Sequence, residues 1–198
     1  MAPGVRHGCA FCLSRSDDQR RNQGASRRAP RLDAAHIAHL GGHRGLYSGG
    51  ARPRGSVVTE GSLVIDACVV ADALIDTGEV GARARTYLHH PRVYVPELLF
   101  TEVSAVLKKD ERQTGVVNGQ TFQSLMRYSW ISVPFESFGA LGWRLRNHVS
   151  MADACYLALA VGLAATLVTS DRKLARASAG YCDVLIPGTE KEAIDHPG

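Results

Sequence analysis

The sequence predicts an α/β domain built on a central parallel sheet, and three observations carry that prediction. From residue 61 onward, short β-like runs alternate with longer helical ones, the pattern of helices covering the faces of a sheet. Two aspartates each stand where an apolar strand runs out, Asp66 after Leu63-Val64-Ile65 and Asp171 after Leu167-Val168-Thr169-Ser170. In an open parallel sheet the ligand crevice lies at the carboxyl ends of the strands, so carboxylates planted there point at a site. The third observation is a change of composition near residue 60, which separates the α/β pattern from what precedes it.

Residues 1–60 carry ten arginines, no lysine and four acids, Asp17, Asp18, Asp33 and Glu60, for a net charge of +6. Residues 61–198 hold thirteen basic and fifteen acidic residues, a net of −2, so the overall +4 belongs to the basic extension. A body of that charge does not offer tight non-specific nucleic-acid binding through counterion release. The first sixty residues show neither strand alternation nor a sustained helical period and have little apolar content to offset ordering. They are expected to be a disordered extension, one that translation starting near Val57 or Val58 would omit. The longest early apolar run, Ala10-Phe11-Cys12-Leu13, is too short for a secretory signal. Asp66, Asp72 and Asp76 interrupt the one long apolar stretch, so no membrane span is expected. Five cysteines without framework spacing suit a reducing cytoplasm.

The elements follow in order. Leu63 to Ile65 is the first strand, the apolar residues continue from Val69 to Leu74, and Val80 to Leu88 is a helix after Gly78. Val93-Tyr94-Val95 is a strand, and Pro96 is expected at the first position of the next helix, followed by an acid in its first turn. That helix is predicted from about Glu97 to Lys109, with Leu98, Leu99, Val103, Val106 and Leu107 on one face and Glu102 among them. Gln120 to Tyr128 reads as a helix, Ile131-Ser132-Val133 as a strand before Pro134, and Phe138 to Arg146 as a further helix. Ser150 opens the most apolar helix, Met151 to Leu163, whose alanines allow close packing. Thr166 to Thr169 is a strand, Lys173 to Ala177 a short helix, and Val184-Leu185-Ile186 the closing strand.

Placed on these elements, four acids fall at or soon after strand ends: Asp66, Glu102, Asp153 and Asp171. If the strands before Asp66 and Asp171 are neighbours, their ends lie about 4.8 Å apart. Two charges about 5 Å apart at an effective dielectric near 20 repel by roughly 3 kcal/mol. A fold keeps such a pair with a compensating cation or a shifted pKa, and all-oxygen ligation suits Mg²⁺ or Mn²⁺ rather than zinc. Each acid also has a plainer use. Ser150-Met151-Ala152-Asp153 matches a capping box, Asp171 suits a helix N-cap, and Glu102 has Lys108 and Lys109 nearby in sequence. Asp66 ends an apolar strand and is followed by more apolar sequence, which leaves it the hardest to assign to the surface.

Four segments together resemble a known family. Leu63-Val64-Ile65-Asp66-Ala67-Cys68-Val69-Val70, Val95-Pro96-Glu97-Leu98-Leu99-Phe100-Thr101-Glu102-Val103, Ser150-Met151-Ala152-Asp153-Ala154-Cys155-Tyr156-Leu157-Ala158-Leu159-Ala160 and Leu167-Val168-Thr169-Ser170-Asp171-Arg172-Lys173-Leu174 are similar in order and spacing to PIN-domain nucleases, most closely VapC-type toxins of toxin-antitoxin modules. The resemblance covers about residues 62–187. It implies a PIN-like three-layer α/β/α fold with a central parallel sheet. It also implies a catalytic and metal-binding set of Asp66, Glu102, Asp153 and Asp171 for Mg²⁺ or Mn²⁺, with Thr169 supporting them. The implied activity is an endoribonuclease that hydrolyses an RNA phosphodiester by in-line attack of water, and the implied partners are RNA, a VapB-type antitoxin and a second copy in a homodimer. Arg172 and Lys173 are candidates to steer the RNA backbone, with ordinary solvated charges as their plainer use, and the stretch from Val80 to Leu107 has apolar residues beyond one face, which an interface or core packing would explain. Two positions depart from the family's habit: Cys68 stands where serine is common, and Ala152 where an aromatic is common. Neither removes a ligand.

Other signals carry less. Cys9 and Cys12 with His36, His39 and His43 mimic a zinc site, but the gap between the pairs exceeds a finger loop and no apolar core accompanies it. Cys155 and Cys182 lie in apolar contexts without a base nearby in sequence, which favours packing over nucleophilic use. A haloacid-dehalogenase-type phosphotransferase would carry a second aspartate where Cys68 stands, and a receiver domain would carry an acid where Ile65 stands. The rival from another class is a catalytically silent PIN-like module that binds RNA or protein.

Overall fold

An apolar triplet without polar alternation has a natural place in the middle of a sheet covered on both faces. In the computed structural model, which describes residues 61–189, Leu63–Ile65 forms that strand, β1, with all three residues buried. It leads into α1 (Ala67–Ile75) and α2 (Glu79–Leu88). Then come β2 (Val93–Pro96), α3 (Leu98–Thr114) and α4 (Gly119–Leu125). β3 (Ile131–Val133) is followed by a 3₁₀ turn at Phe135–Ser137 and by α5 (Gly139–Leu145). The chain closes with α6 (Met151–Gly162), β4 (Thr166–Val168), α7 (Arg172–Ser178) and β5 (Val184–Leu185). The basic extension and the cysteine and histidine residues within it lie outside the described residues.

The five strands are parallel in the order β3-β2-β1-β4-β5. From β1 the chain steps outward through β2 to β3, then returns across the sheet to β4 and steps outward again to β5. The reversal lies between β1 and β4, which pair with Leu63 opposite Thr166 and Ile65 opposite Val168. That junction is the topological switch point at which α/β sheets bind ligands. The sheet and its helices make the three-layer α/β/α arrangement: α1 packs on α2 and α3, α5 on α6, and α6 lies along β1, β2 and β4.

α6 shows why the sequence folds this way. Every residue from Asp153 to Ala160 is buried. Alanine at 154, 158 and 160 lets the helix approach the sheet closely, while Leu157 and Leu159 fill the space between, each contributing about 1.5–3 kcal/mol by leaving water. Its start is set by Ser150, whose hydroxyl accepts from the Asp153 amide at 3.1 Å.

Two expectations are corrected and one left open is decided. Pro96 is the last residue of β2 rather than the first of a helix; Glu97 turns the chain and the helix begins at Leu98. Register between β1 and β2 covers only Leu63–Val93 and Val64–Tyr94, so the missing N–H of Pro96 costs no bond to β1. α3 runs to Thr114, beyond the predicted Lys109, and ends on Gly115 in the left-handed region at φ 73°, whose N–H reaches the Glu111 carbonyl. The apolar residues between Val80 and Leu107 are largely core: Leu99, Val103 and Leu107 are buried and Leu98 and Phe100 pack against them, leaving Val80 exposed. Among the described residues the other large exposed apolar side chains are Val116, Val117, Phe122 and Met126 around α4, Ile131 on β3, and Phe135, Trp143 and Met151 around α5.

Candidate active site

At the switch point the backbone joins the two strands before any side chain does. The Asp66 N–H donates to the Val168 carbonyl at 2.9 Å, so the residue ending β1 is hydrogen-bonded to the end of β4. Asp66 then occupies the N-cap position of α1 without making a side-chain cap bond. Its carboxylate turns inward instead and is fully buried. Oδ2 accepts from the Thr169 hydroxyl at 2.7 Å and from the Cys68 thiol at 2.8 Å. Cys68 thus does the donating expected of a serine at its position, and its sulfur lies 3.6 Å from Thr169 Oγ1.

Thr169 is the hub of this half of the site. The same hydroxyl that donates to Asp66 accepts from the Asp171 N–H at 3.0 Å. One buried oxygen therefore links both strand-end aspartates. Asp171 caps α7 as its plainer reading suggested, with Oδ1 accepting from the amides of Lys173 at 2.7 Å and Leu174 at 3.4 Å. Both cap bonds fall on one carboxylate oxygen. Arg172 and Lys173 stand exposed beside it.

The other half is built on α3 and α6. Glu102 lies one turn into α3 and is only 9% exposed, so it does not snorkel outward. Its Oε2 accepts from the Tyr156 hydroxyl at 2.5 Å. Asp153, 6% exposed, sits in the first turn of α6, where its Oδ2 accepts from the Ser150 hydroxyl at 2.8 Å. The serine half of a capping box is thus present, while the acid accepts from the serine side chain.

The electrostatics follow from this gathering of acids. Burial pushes the Cys155 thiol above its usual range, and the charges of Glu102 and then Asp153 push it further. Asp72, on α1, is raised chiefly by burial and also by Asp76 and Asp66, against a hydrogen bond from the Ser170 side chain that lowers it. Two groups on different helices thus feel excess negative charge around the site. The donors, four buried carboxylates, fit a hard divalent cation. Among the described residues no three His, Cys, Asp or Glu side chains stand close enough to form a finished metal cage. The acids occupy one sheet edge in two separately tethered halves.

Sequence reasoning singled out the four acids and Thr169, all of them buried, but not two groups that bear on them. Tyr156, 54 positions from Glu102, has no local signal that would pair them. Asp72 registered only as a break in an apolar stretch, although its position on the helix that Asp66 opens was a readable cue.

With a parallel sheet, its switch point and four carboxylates established, the family can be named. The PIN-domain family model matches residues 63–180, and the chain belongs to that family. Its curated relatives sharpen the comparison. The chain is 28% identical over 127 residues to the VapC ribonuclease Mb0985 of Mycobacterium bovis, covering 63% of this chain and 97% of that protein. It is 31% identical over 120 residues to ribonuclease VapC12 of Mycobacterium tuberculosis, covering 58% of this chain and 90% of that one. Among solved structures, PAE2754 from Pyrobaculum aerophilum superposes with a TM-score of 0.46 at 20% identity, over 62% of this chain and 83% of that one.

Proposed function

We propose that this chain is a divalent-metal-dependent endoribonuclease, the VapC-type toxin of a type II toxin-antitoxin module. The observation that carries the reading is the Asp66–Thr169–Asp171 connection across the switch point, with Glu102 and Asp153 on the same edge. Asp66, Glu102, Asp153 and Asp171 would hold Mg²⁺ or Mn²⁺. When bound, such an ion supplies an activated water and stabilises the charge developing on the phosphate and the leaving oxygen. The chain's own residues do the rest. Thr169 holds Asp66 and Asp171 at a fixed separation, the amides of Lys173 and Leu174 orient Asp171, and Ser150 orients Asp153. Arg172 and Lys173, exposed beside Asp171, suit contacts to the RNA phosphates that position the strand without reading its bases.

A protein antitoxin of the VapB type and a second copy of the chain complete the proposal. The two exposed apolar groups around α4 and α5 support such contacts better than the Val80 to Leu107 stretch does. We place the activity in the cytoplasm, in keeping with five cysteines that lack framework spacing; among the described residues no helix is long and apolar enough to cross a membrane.

The test is cleavage of total RNA by the purified full chain with Mg²⁺ or Mn²⁺, against chelator and against Asp66→Asn and Asp171→Asn. Cleavage is expected for wild type with metal and at least 100-fold less for either variant, on the scale of losing one preorganised charge-stabilising group. Equal cutting by wild type and both variants rejects the site. RNA retention without cleavage at any metal concentration would establish the silent binding module instead.

A further inference from the structure

The metal site proposed above rests on four acids that come from different helices, and one of them is held by a residue with no assigned role. Tyr156 is fully buried, and its hydroxyl donates to Glu102 Oε2 at 2.5 Å. That length belongs to charge-assisted O–H···O⁻ bonds, the strong class. Tyr156 also stands three residues after Asp153 on α6, and residues at that spacing share a helix face. The bond therefore joins the helix of the third acid to the helix of the second. It sets where Glu102 stands relative to Asp153.

The chemistry of the donor matters as much as its position. A lysine or arginine reaching Glu102 would also orient it, but would cancel the negative charge that a cation needs. A phenol has one hydrogen to give and no charge. It fixes one oxygen of the carboxylate and leaves the site's negative charge in place. The ring is fully buried and packed in the core. Such outer-shell partners orient the ligand and tune its affinity for metal.

We propose that Tyr156 is the positioning residue for Glu102, holding that carboxylate in register with Asp153 for a divalent cation; this rests on the metal site proposed above. The test compares full-length wild type with Tyr156→Phe, which removes one oxygen and keeps the buried ring. Mn²⁺ binding is read directly from the electron paramagnetic resonance of free Mn²⁺, and RNA cleavage is followed as a function of Mn²⁺. Tyr156→Phe is expected to weaken Mn²⁺ binding about 10- to 100-fold, with much of the cleavage rate returning at saturating Mn²⁺. On a Glu102→Gln background, adding Tyr156→Phe is expected to change Mn²⁺ binding by less than twofold, because the tyrosine acts through the glutamate. Mn²⁺ binding by Tyr156→Phe within twofold of wild type overturns the proposal, as does an undiminished effect on the Glu102→Gln background. If Tyr156→Phe melts early, the rise in melting temperature on adding Mn²⁺ at 10 °C below its midpoint conditions replaces the titration: loss of the rise supports the proposal, and a rise equal to that of wild type overturns it. Wild type that binds Mn²⁺ but cuts no RNA refutes the ribonuclease reading and leaves this comparison intact.

Discussion

Thr169→Val is the most informative single perturbation of the site, because it removes one buried oxygen that serves two acids and replaces it with a methyl group of similar size. The hydroxyl donates to Asp66 Oδ2 at 2.7 Å and accepts from the Asp171 N–H at 3.0 Å, in a fully buried setting. A hydrogen bond to a charged group is worth about 1.5–3 kcal/mol, and a buried amide left without its acceptor costs about 1–3 kcal/mol. The Cys68 thiol still donates to Asp66 at 2.8 Å, so the loss falls short of the full sum. We expect a destabilisation of about 2–4 kcal/mol. With a urea m-value near 1.5–2 kcal/mol/M, the midpoint should fall by roughly 1–2.5 M. Thr169→Ser keeps the oxygen and should stay within about 1 kcal/mol of wild type. The measurement is urea unfolding of the three proteins followed by circular dichroism. A Thr169→Val midpoint equal to that of Thr169→Ser would refute the argument, because the oxygen would then hold neither acid.

Two further predictions concern glycines and a carboxylate. A Cβ at Gly81 would lie 1.8 Å from the Asp76 carbonyl oxygen, in the corner between α1 and α2 where backbone cannot yield, whereas Gly115 has open space and only a left-handed φ of 73°. Gly81→Ala should therefore cost about 3 kcal/mol or more and Gly115→Ala about 1–2 kcal/mol; thermal melts that reverse this order would contradict the packing described. Asp72→Asn should stabilise the metal-free protein at pH 8. Because burial, Asp76 and Asp66 raise its folded pKa above the unfolded value, the folded chain binds this proton more tightly. The penalty on the charged form is thus present above the folded pKa and disappears as the pH falls through it. The gain from Asp72→Asn should shrink toward acid pH in chemical denaturation with chelator present, and a gain that grows on acidification would show the sign to be wrong.

The sequence reading reached the site through a conditional: Asp66 and Asp171 meet if their strands are neighbours. Nothing local in Leu63-Val64-Ile65 or Leu167-Val168 says which strand lies beside which, since each is an apolar run that would suit any central position. The order β3-β2-β1-β4-β5 supplies the missing condition. Legibility failed elsewhere for a different reason. The apolar period of α3 ends at Leu107, but the helix continues for two polar turns, Lys108, Lys109 and Arg112 exposed and Asp110 and Glu111 half-buried, where no apolar period is imposed. A helix end that buries nothing leaves only its cap to announce it, and here that is Gly115.

The tethers of the four acids expose the deeper division between what sequence can and cannot give. Ser150 with Asp153, and Asp171 with the amides that follow it, are local motifs, and both were readable. Thr169 with Asp66 spans 103 positions and Tyr156 with Glu102 spans 54; each depends on where two elements cross the sheet. Asp171 does cap α7, as its plainer reading had it, and the Asp153 carboxylate bonds the Ser150 hydroxyl in a variant of the capping box; neither use competes with a site. A carboxylate whose one oxygen is fixed by a helix cap is already oriented, which is what a metal ligand requires. Capping and the proposed ligation are compatible demands on one side chain, so finding the first is no argument against the second. Asp66 makes the complementary case: it stands at a cap position, makes no cap bond, and is buried, and that refusal of the ordinary use is the strongest local sign of chemistry in the chain.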